Sequence, residues 1–377
     1  MYHFLIARLT HHRTLQFSVL FRNVFSSSFS VEKHHKGDTF TVSNLVNSCE
    51  LSPETALKLL NRLKPKNPNA PNAVIQLLRN YGFSDSQLCI YVKKHPFVLL
   101  CKIEKTLLPK LDFLRSIGVS NTDLPKILIR NTYFLTSSLE KSIIPRYEVI
   151  RSFVRNDKEV VSTLKRGTWG THNAWIVNDA VQNIEVLRKL GVLQGSISLL
   201  VSNFPNVAFA RHSRFVKAVN SVKEMGFDPL MSYFVLAVQV IAKMNKENWE
   251  SKIKIFERWG WSRDMCLLAF QKQPHCMMLS EKKIMKTMNF LMNDVGLPPQ
   301  DIVGSPAVLF RNLEKTLIPR CTVIKILKST GLIKSGLRIS TFICITEKTF
   351  LGRYVTPFRK DLPLLLDAYK DEMAKPL

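Results

Sequence analysis

The amino-acid sequence predicts an all-α array of stacked helical repeats, each about 35 residues long. The hexapeptide EKTLLP at residues 104–109 returns as EKSIIP at 140–145 and as EKTLIP at 314–319. Glycines recur at intervals of 36, 73, 35, 34, 36 and 35 residues, where 73 is two periods with one glycine missing: Gly82, Gly118, Gly191, Gly226, Gly260, Gly296 and Gly331. The chain is 46% hydrophobic, so it can build a core along such an array.

The first 31 residues have the composition of an organellar targeting segment. They contain Arg8, Arg13 and Arg22, five serines between Ser18 and Ser30, and no acidic residue. Arg-rich, Ser-rich and acid-poor segments are typical of transit peptides, whereas a secretory signal needs an uninterrupted apolar run. We therefore exclude residues 1–31 from the fold and predict import into mitochondria, with the chloroplast as the alternative.

The remaining chain divides into three parts. We predict a lead-in helix with a Pro/Asn-rich linker over residues 32–70, the repeat array over 71–355, and a C-terminal tail over 356–377. A membrane-spanning helix needs about 20 apolar residues, and the most apolar stretch, 229–242, is only 14 residues long. We therefore predict no membrane span. Seven cysteines without any CxxC pair predict buried thiols and neither a metal site nor a disulfide framework.

Each repeat begins at its glycine. An apolar residue and then a capping residue often follow it, as in GFS at 82, GVS at 118, GFD at 226 and GWS at 260. This pattern predicts a helix that ends at a left-handed glycine and a new helix that begins at Ser or Asp. Residues 84–87, Ser-Asp-Ser-Gln, match a capping box, and Pro229 suits a first helical position.

Prolines divide the rest of each repeat. Pro96, Pro205 and Pro274 lie 14 residues after their glycines, Thr132 takes that place after Gly118, and Pro306 comes 10 residues after its glycine. Proline there ends a short helix. The next prolines, Pro109, Pro145 and Pro319, lie 13 residues further on, inside the repeated hexapeptide, and we expect them to begin or kink a second, longer helix. Residues 151–182 and the region near Val240 lack these markers, which predicts distorted repeats.

The pattern G-apolar-S, then P-x-x-L-L, then E-K-x-L-x-P-[KR] resembles the mitochondrial transcription termination factor (mTERF) family. Residues 95–120 and 305–333 each look like a full family motif, and LSPETALKLLNRL resembles the lead-in of its large plant organellar branch. The resemblance implies a curved α-solenoid of about 7–8 repeats, each with two α-helices and a short 3₁₀ turn. It also implies a basic concave surface that holds duplex DNA or RNA, and a role in organellar transcription, transcript termination, splicing or ribosome assembly.

Positive charge independently favours a nucleic-acid partner. Lys and Arg outnumber Asp and Glu by 54 to 29, which gives a net charge of +25, and such an excess suits a polyanion. Residues that hold the same place in successive repeats form a ladder along one face of a stacked array. The residues four positions before the helix prolines form a first ladder: Lys105, Lys141 and Lys315. The residues directly after these prolines form a second ladder: Lys110, Arg146 and Arg320.

Four further cations follow Pro205 and Pro274 and complete the predicted nucleic-acid-binding set: Arg211, Arg214, Lys282 and Lys283. A solvated basic face is the alternative interpretation of this set. We do not expect the six ladder side chains in the core. The adjacent Glu104, Glu140 and Glu314 suit the first turn of a helix, where a negative charge is favourable.

No catalytic motif is apparent, and we predict a protein that is not an enzyme and has no cofactor. His275 and Cys276 are adjacent but lack a third partner, and Trp259 and Trp261 flank a helix-ending glycine, which favours packing over base stacking. The predicted function is nucleic-acid binding by a monomer in organellar gene expression. The alternative is a helical scaffold that docks an acidic or organellar protein partner.

Overall fold

A computed structural model of the chain describes residue 46 and residues 52–63, 70–168, 174–334 and 336–374. These residues form α-helices with short 3₁₀ and π segments and contain no β-strand, so the predicted all-α class is confirmed. The predicted targeting segment and most of the lead-in lie outside the described residues. None of the described helices combines the length and the apolar character that crossing a bilayer requires.

The described residues contain twenty α-helices, and each helix that follows a repeat glycine is succeeded by a second helix. In chain order they are α1 Pro53–Leu63, α2 Ala70–Asn80, α3 Asp85–Lys94, α4 Leu108–Ser116, α5 Leu124–Arg130, α6 Ile144–Phe153, α7 Asp157–Arg166, α8 Ala174–Lys189, α9 Gln194–Asn203, α10 Pro205–Ala208, α11 His212–Glu224, α12 Ser232–Lys243, α13 Lys246–Glu257, α14 Arg263–Lys272, α15 Glu281–Asn289, α16 Pro299–Gly304, α17 Ile318–Ser329, α18 Ser340–Ile343, α19 Glu347–Tyr354 and α20 Leu365–Ala374. A π segment, Phe290–Asp294, extends α15. The chain divides into two compact units, one comprising residues up to 178 with 201–206, the other residues 179–200 with 207–377.

The glycines that mark the repeats adopt the left-handed conformation predicted for helix ends. All seven have positive φ, between 71° and 95°, and they are the glycines with positive φ in the described part of the chain. At Gly82 the backbone N–H donates to the Arg79 carbonyl, and the N–H of Phe83 donates to the Leu78 carbonyl at 3.2 Å. This hydrogen-bond pattern closes a helix on a left-handed residue. The glycine spacing therefore located the helix ends correctly.

One predicted cap is confirmed and one helix start is wrong. The Ser84 side chain accepts from the Gln87 N–H at 3.3 Å, and the Gln87 side chain accepts from the Ser84 N–H at 3.0 Å, which completes the capping box. Pro229 does not begin a helix, because α12 starts at Ser232. The Asp228 side chain accepts from the Leu230 N–H at 2.9 Å. An Asp that bonds its own backbone two residues on favours a turn, and proline suits the second position of that turn.

The first set of prolines ends the short helices as predicted. Helix α3 ends two residues before Pro96, α14 two residues before Pro274 and α16 two residues before Pro306. Each of these prolines then opens a 3₁₀ turn of five residues: Pro96–Leu100, Pro274–Met278 and Pro306–Phe310. Where Thr132 replaces the proline, the turn shrinks to Phe134–Thr136. The repeat therefore contains the expected pair of helices joined by a 3₁₀ turn.

The repeated hexapeptide forms the same structure three times. A π segment precedes α4, α6 and α17, and the proline is the second residue of each of these helices: Ile103–Leu107, Leu139–Ile143 and Leu313–Leu317. Proline has no N–H, and its ring collides with the carbonyl four residues earlier in an α-helix. In the π segment the Leu108 N–H donates to the Ile103 carbonyl, five residues back. The wider π turn therefore accommodates the proline at the start of the long helix.

The C-terminal segment that we predicted as a tail contains helix α20. Its Leu365 and Tyr369 are buried, and the rings of Tyr369 and Phe350 lie 5.6 Å apart. Helix α20 packs along α17, the long helix of the last full repeat. The opposite side of α20 exposes Asp367, Lys370 and Asp371. Helix α20 therefore covers an apolar side of α17 with a polar surface, as a terminal capping helix does.

Candidate nucleic-acid interface

The first predicted ladder is exposed. Lys105, Lys141 and Lys315 each lie in the π segment that precedes a long helix, and all three side chains are exposed. In the described part of the chain no carboxylate lies within ion-pair distance of these ammonium groups. The neighbouring Glu140 and Glu314 lie in the first turn of their segments, as expected. These lysines therefore present uncompensated positive charge.

Arg211 and Lys282 have the same character. Arg211 precedes α11 without capping it through its side chain, and Lys282 lies in the first turn of α15; both are exposed. Neither forms an ion pair with a described residue, although other exposed cations do: Arg263 contacts Glu250 at 2.6 Å, for example. The exposed, unpaired members of the predicted set are named here the open cations: Lys105, Lys141, Arg211, Lys282 and Lys315.

The second predicted ladder points inward. Lys110 is 6% exposed, and its Nζ donates to the Leu135 carbonyl at 2.6 Å. Arg320 is 5% exposed, and its Nη1 donates to the carbonyls of Phe342, Ile343 and Ile345 at 3.0, 3.2 and 2.8 Å. Burial lowers the pKa of the Lys110 ammonium below its usual value. Our expectation that no ladder side chain lies in the core is wrong for Lys110 and Arg320.

Helical geometry explains why the two ladders separate. Lys105 and Lys110 are five residues apart in the chain, a spacing that corresponds to roughly 140° around an α-helix, although Lys105 itself lies in the wider π segment. The two side chains therefore point in different directions. The same spacing separates Lys315 from Arg320. In both repeats the residue four positions before the proline faces solvent and the residue directly after it is buried.

Two more predicted residues, Arg214 and Lys283, also bond to backbone carbonyls. The Arg214 Nη2 donates to the Ala242 carbonyl at 2.7 Å, and the Lys283 Nζ donates to the Arg311 carbonyl. Burial lowers the pKa of Lys283. Although Arg214 itself is an exposed residue, its guanidinium is partly buried at this contact. Both cations are thus engaged within the protein.

Arg146 is the remaining member of the predicted set. It is half-buried and lines a small cavity of about 30 Å³ together with Asn131, Ser137 and Tyr147. Burial lowers the pKa of its guanidinium. A cavity of this volume holds about one water molecule. Because Arg146 is half-buried and donates to no described carbonyl, it belongs neither to the open cations nor to the carbonyl-bonded residues.

The residues singled out for other chemistry are packing residues. Trp261 is 2% exposed and stacks on Phe256 with ring centroids 4.6 Å apart, as expected for a packing role. Cys276 is fully buried, and burial raises the pKa of its thiol to about 12. A catalytic cysteine needs the opposite shift, because the thiolate is the nucleophile. Among the described residues no cluster of His, Cys, Asp and Glu could hold a metal ion.

Comparison with known families assigns this architecture. A family model described as mTERF matches residues 75–292 and 228–351. The chain belongs to the mTERF family. The match covers both compact units and all three copies of the hexapeptide. Proteins of the mTERF family are nucleic-acid-binding helical-repeat proteins that typically act in organelles. Comparison with curated proteins found no match to the chain.

Proposed function

We propose that this mTERF protein binds the phosphate backbone of a nucleic-acid duplex through its open cations and thereby acts in organellar gene expression. The observation that carries the proposal is that an exposed cation without an ion pair recurs at the same place in the repeat, as Lys105, Lys141 and Lys315 do in the π segments. Several exposed cations elsewhere contact carboxylates, such as Arg258 with Glu281 at 3.0 Å and Arg155 with Glu159 at 2.5 Å. The open cations are exposed at related places in the repeats and lack such partners among the described residues.

The chemistry of such a surface is that of backbone recognition. Ammonium and guanidinium groups that neutralise phosphates release condensed counterions, so affinity falls steeply as salt rises. Contacts of this kind position a protein on a duplex without reading its bases. The proposed phosphate contacts are therefore Lys105 and Lys141 within one compact unit and, separately, Arg211, Lys282 and Lys315 within the other. Such contacts predict binding that tolerates changes of sequence.

The test replaces all five open cations by glutamine and measures affinity for mixed-sequence duplex DNA and duplex RNA over a range of salt concentrations. Each lost phosphate contact lowers the slope of log affinity against log salt by about 0.9 on duplex DNA. If most of the five contact phosphate, the slope should fall by roughly 2–4. The matched control replaces five exposed lysines that form no ion pair with a described residue, with the same division between the two units: Lys93, Lys158, Lys223, Lys254 and Lys348.

The control should lower the slope by less than half as much as the replacement of the open cations. Circular dichroism should show unchanged helical content in both variants, because all the replaced side chains are exposed. Equal slopes for the two variants would show that the open cations have no special role. If the parent protein binds neither duplex DNA nor duplex RNA, or if its binding does not depend on salt, the proposed phosphate binding is refuted.

One observation favours the alternative of a protein-docking scaffold. Leu193, Leu230 and Met231 are 57%, 53% and 55% exposed. A Cβ placed on Gly191 would lie 3.6 Å from the Leu230 side chain, so Leu230 lies beside the turn that carries Leu193. Leu193 stands two residues after its glycine, a place that polar residues hold after four other glycines: Ser84, Ser120, Asp228 and Ser262. Replacing the three apolar residues by serine should leave duplex binding unchanged, and a loss of duplex binding would assign this patch to the nucleic-acid interface.

We further propose that residues 1–31 direct import into mitochondria. Three arginines and the absence of any acidic residue before Glu32 support this proposal. A fusion of residues 1–31 to a fluorescent reporter should enter mitochondria in plant cells, and the plant branch is proposed from the resemblance of residues 51–63. Import into chloroplasts would replace the mitochondrial assignment, and a cytosolic reporter would refute a targeting role. The same fusion with the arginines replaced by glutamate is the control and should stay in the cytosol.

A further inference from the structure

Most long helices in the described part of the chain carry one polar side chain that donates to the next repeat. Lys110 in α4, Arg214 in α11, Lys283 in α15 and Arg320 in α17 are each the third residue of their helix. Each reaches a backbone carbonyl 22–28 residues later in the chain. A repeat glycine lies between each donor and its acceptor: Gly118, Gly226, Gly296 and Gly331. The acceptor therefore belongs to the following repeat.

Two members of this series were not predicted from the sequence. Lys252 in α13 donates to the Leu279 carbonyl at 2.5 Å. Asn183 in α8 is fully buried, and its Nδ2 donates to the carbonyls of Ala208 and Ala210 at 3.0 and 2.8 Å. Asn183 carries no charge, yet it makes the same kind of contact as the cations. The shared property of the series is therefore a hydrogen-bond donor and not a positive charge for an external ligand.

The acceptors also share a property. Each donor has at least one acceptor at the carboxyl end of a helix or 3₁₀ turn: Leu135, Ala208, Ala242, Leu279, Arg311 and Ile343 lie within, or directly after, the last residues of such a segment. The last carbonyls of a helix have no donor within the helix and carry partial negative charge. A donor from the preceding long helix satisfies such a carbonyl and ties two repeats together.

We propose that these side chains are inter-repeat braces, which hold successive repeats at a fixed spacing and so position the open cations without contacting the ligand. The braces are Lys110, Asn183, Arg214, Lys252, Lys283 and Arg320. The structural part of the proposal stands on the hydrogen bonds, and its consequence for binding rests on the proposed function. A buried polar group is costly unless it is hydrogen-bonded, which explains why the buried Lys110, Asn183 and Arg320 end on carbonyls.

Helix α15 offers a matched pair of neighbours for the test. Lys282 is an open cation, and Lys283 is a brace, so the same substitution to methionine at adjacent positions separates the two roles. The Lys283→Met variant should lower the urea midpoint by about 0.5–1 M, because a charged hydrogen bond is lost. Amide hydrogen exchange should rise in the turn at 306–311 of the next repeat. The Lys282→Met variant should change neither quantity.

Nucleic-acid binding supplies the second readout. Affinity of Lys283→Met for mixed-sequence duplex DNA should fall roughly threefold to tenfold, as for a residue that acts through its neighbours, while the salt slope stays at the parent value. The Lys282→Met variant should lower that slope by about 0.9. The Lys283→Gln variant keeps a neutral donor, as Asn183 does, and should recover part of the lost stability and affinity.

The outcomes separate the two proposals. A reduced salt slope for Lys283→Met at unchanged stability and hydrogen exchange would make Lys283 a phosphate contact and overturn the brace. A Lys283→Gln variant as unstable as Lys283→Met would also overturn it, because the donor would then be irrelevant. If the parent binds no duplex but Lys283→Met still loses stability and protection at 306–311, the braces stand and the proposed function falls.

Discussion

Two glycines that occupy the same place in successive repeats should respond very differently to alanine. Gly82 and Gly118 both end a helix with φ values of 95° and 88°. Alanine at either position must adopt a left-handed conformation, which costs about 1–2 kcal/mol of folding free energy. The two sites differ in the space around them, and that difference gives the prediction its internal control.

The space at Gly82 is already taken by the next repeat. A Cβ built on Gly82 would lie 2.3 Å from the Asn121 carbonyl oxygen and 3.0 Å from its carbonyl carbon, whereas a Cβ on Gly118 has no described atom outside its own turn within 4 Å. The obstructing atoms belong to backbone, so the two turns must move apart by roughly 1 Å. Overpacking of this kind costs about 1–3 kcal/mol beyond the conformational strain. Gly82→Ala should therefore destabilise the protein by about 2–5 kcal/mol and Gly118→Ala by about 1–2 kcal/mol.

Urea denaturation followed by far-ultraviolet circular dichroism measures the difference. With a slope of about 2–3 kcal/mol per molar urea, the midpoint of Gly82→Ala should lie roughly 0.5–1 M below that of Gly118→Ala. Hydrogen exchange should show added opening at residues 119–123 in the Gly82 variant alone. Equal midpoints for the two variants would refute the claim that close contact between successive turns limits this position.

Three further predictions concern single side chains. Because Cys276 is fully buried and burial raises the pKa of its thiol to about 12, it should resist iodoacetamide at pH 8 in the folded protein while the half-exposed Cys344 reacts. Mass spectrometry of the digested protein measures both reactions, and equal labelling of the two cysteines would refute this prediction. The ion pair with Lys165 in α7 lowers the pKa of the Asp123 carboxyl below its usual value. Asp123→Asn should therefore lower the free energy of unfolding by about 1 kcal/mol at neutral pH, and this difference from the parent should vanish as the pH falls through the lowered pKa. A difference that persists in acid would exclude the ion pair as its cause. Trp261→Ala should cost about 3–5 kcal/mol in urea denaturation because its ring is buried, and the half-buried Trp259 should cost clearly less when it is replaced in the same way.

Local chain chemistry made much of the fold predictable. A left-handed residue and a missing backbone N–H are properties of single residue types, so Gly82 and its counterparts located helix ends and Pro96 and its counterparts located the 3₁₀ turns. The prediction failed where a short side chain competes for the backbone, as at Pro229, where Asp228 forms a turn. Such a local hydrogen bond competes with helix formation and leaves no periodic trace in the sequence.

The roles of the cations were harder to predict, for a different reason. The sequence contains the same letter for a lysine whose ammonium faces solvent and for one whose ammonium donates to a carbonyl. Lys105 is exposed and Lys110 is buried, although both belong to the same repeated motif. The acceptor of Lys110 is 25 residues away in the chain, so its fate depends on how two repeats meet. The spacing of five residues between the ladders held the available clue, since two such positions cannot share one side of a helix.

The helix that follows the last full repeat has a consequence for engineering. Because α20 covers the side of α17 and leaves Asp367, Lys370 and Asp371 outward, an additional repeat grafted after residue 374 would meet a charged surface instead of an apolar one. A longer protein would have to be made by inserting additional repeats, called modules, before α17. The segment from α17 to α20 would stay as the C-terminal cap. Each inserted module would need a donor near the start of its long helix and an unoccupied carbonyl end on its short one. Under the proposed function, such a graded set of chain lengths would serve as a molecular ruler, because the length of duplex protected from nuclease should grow with the number of modules.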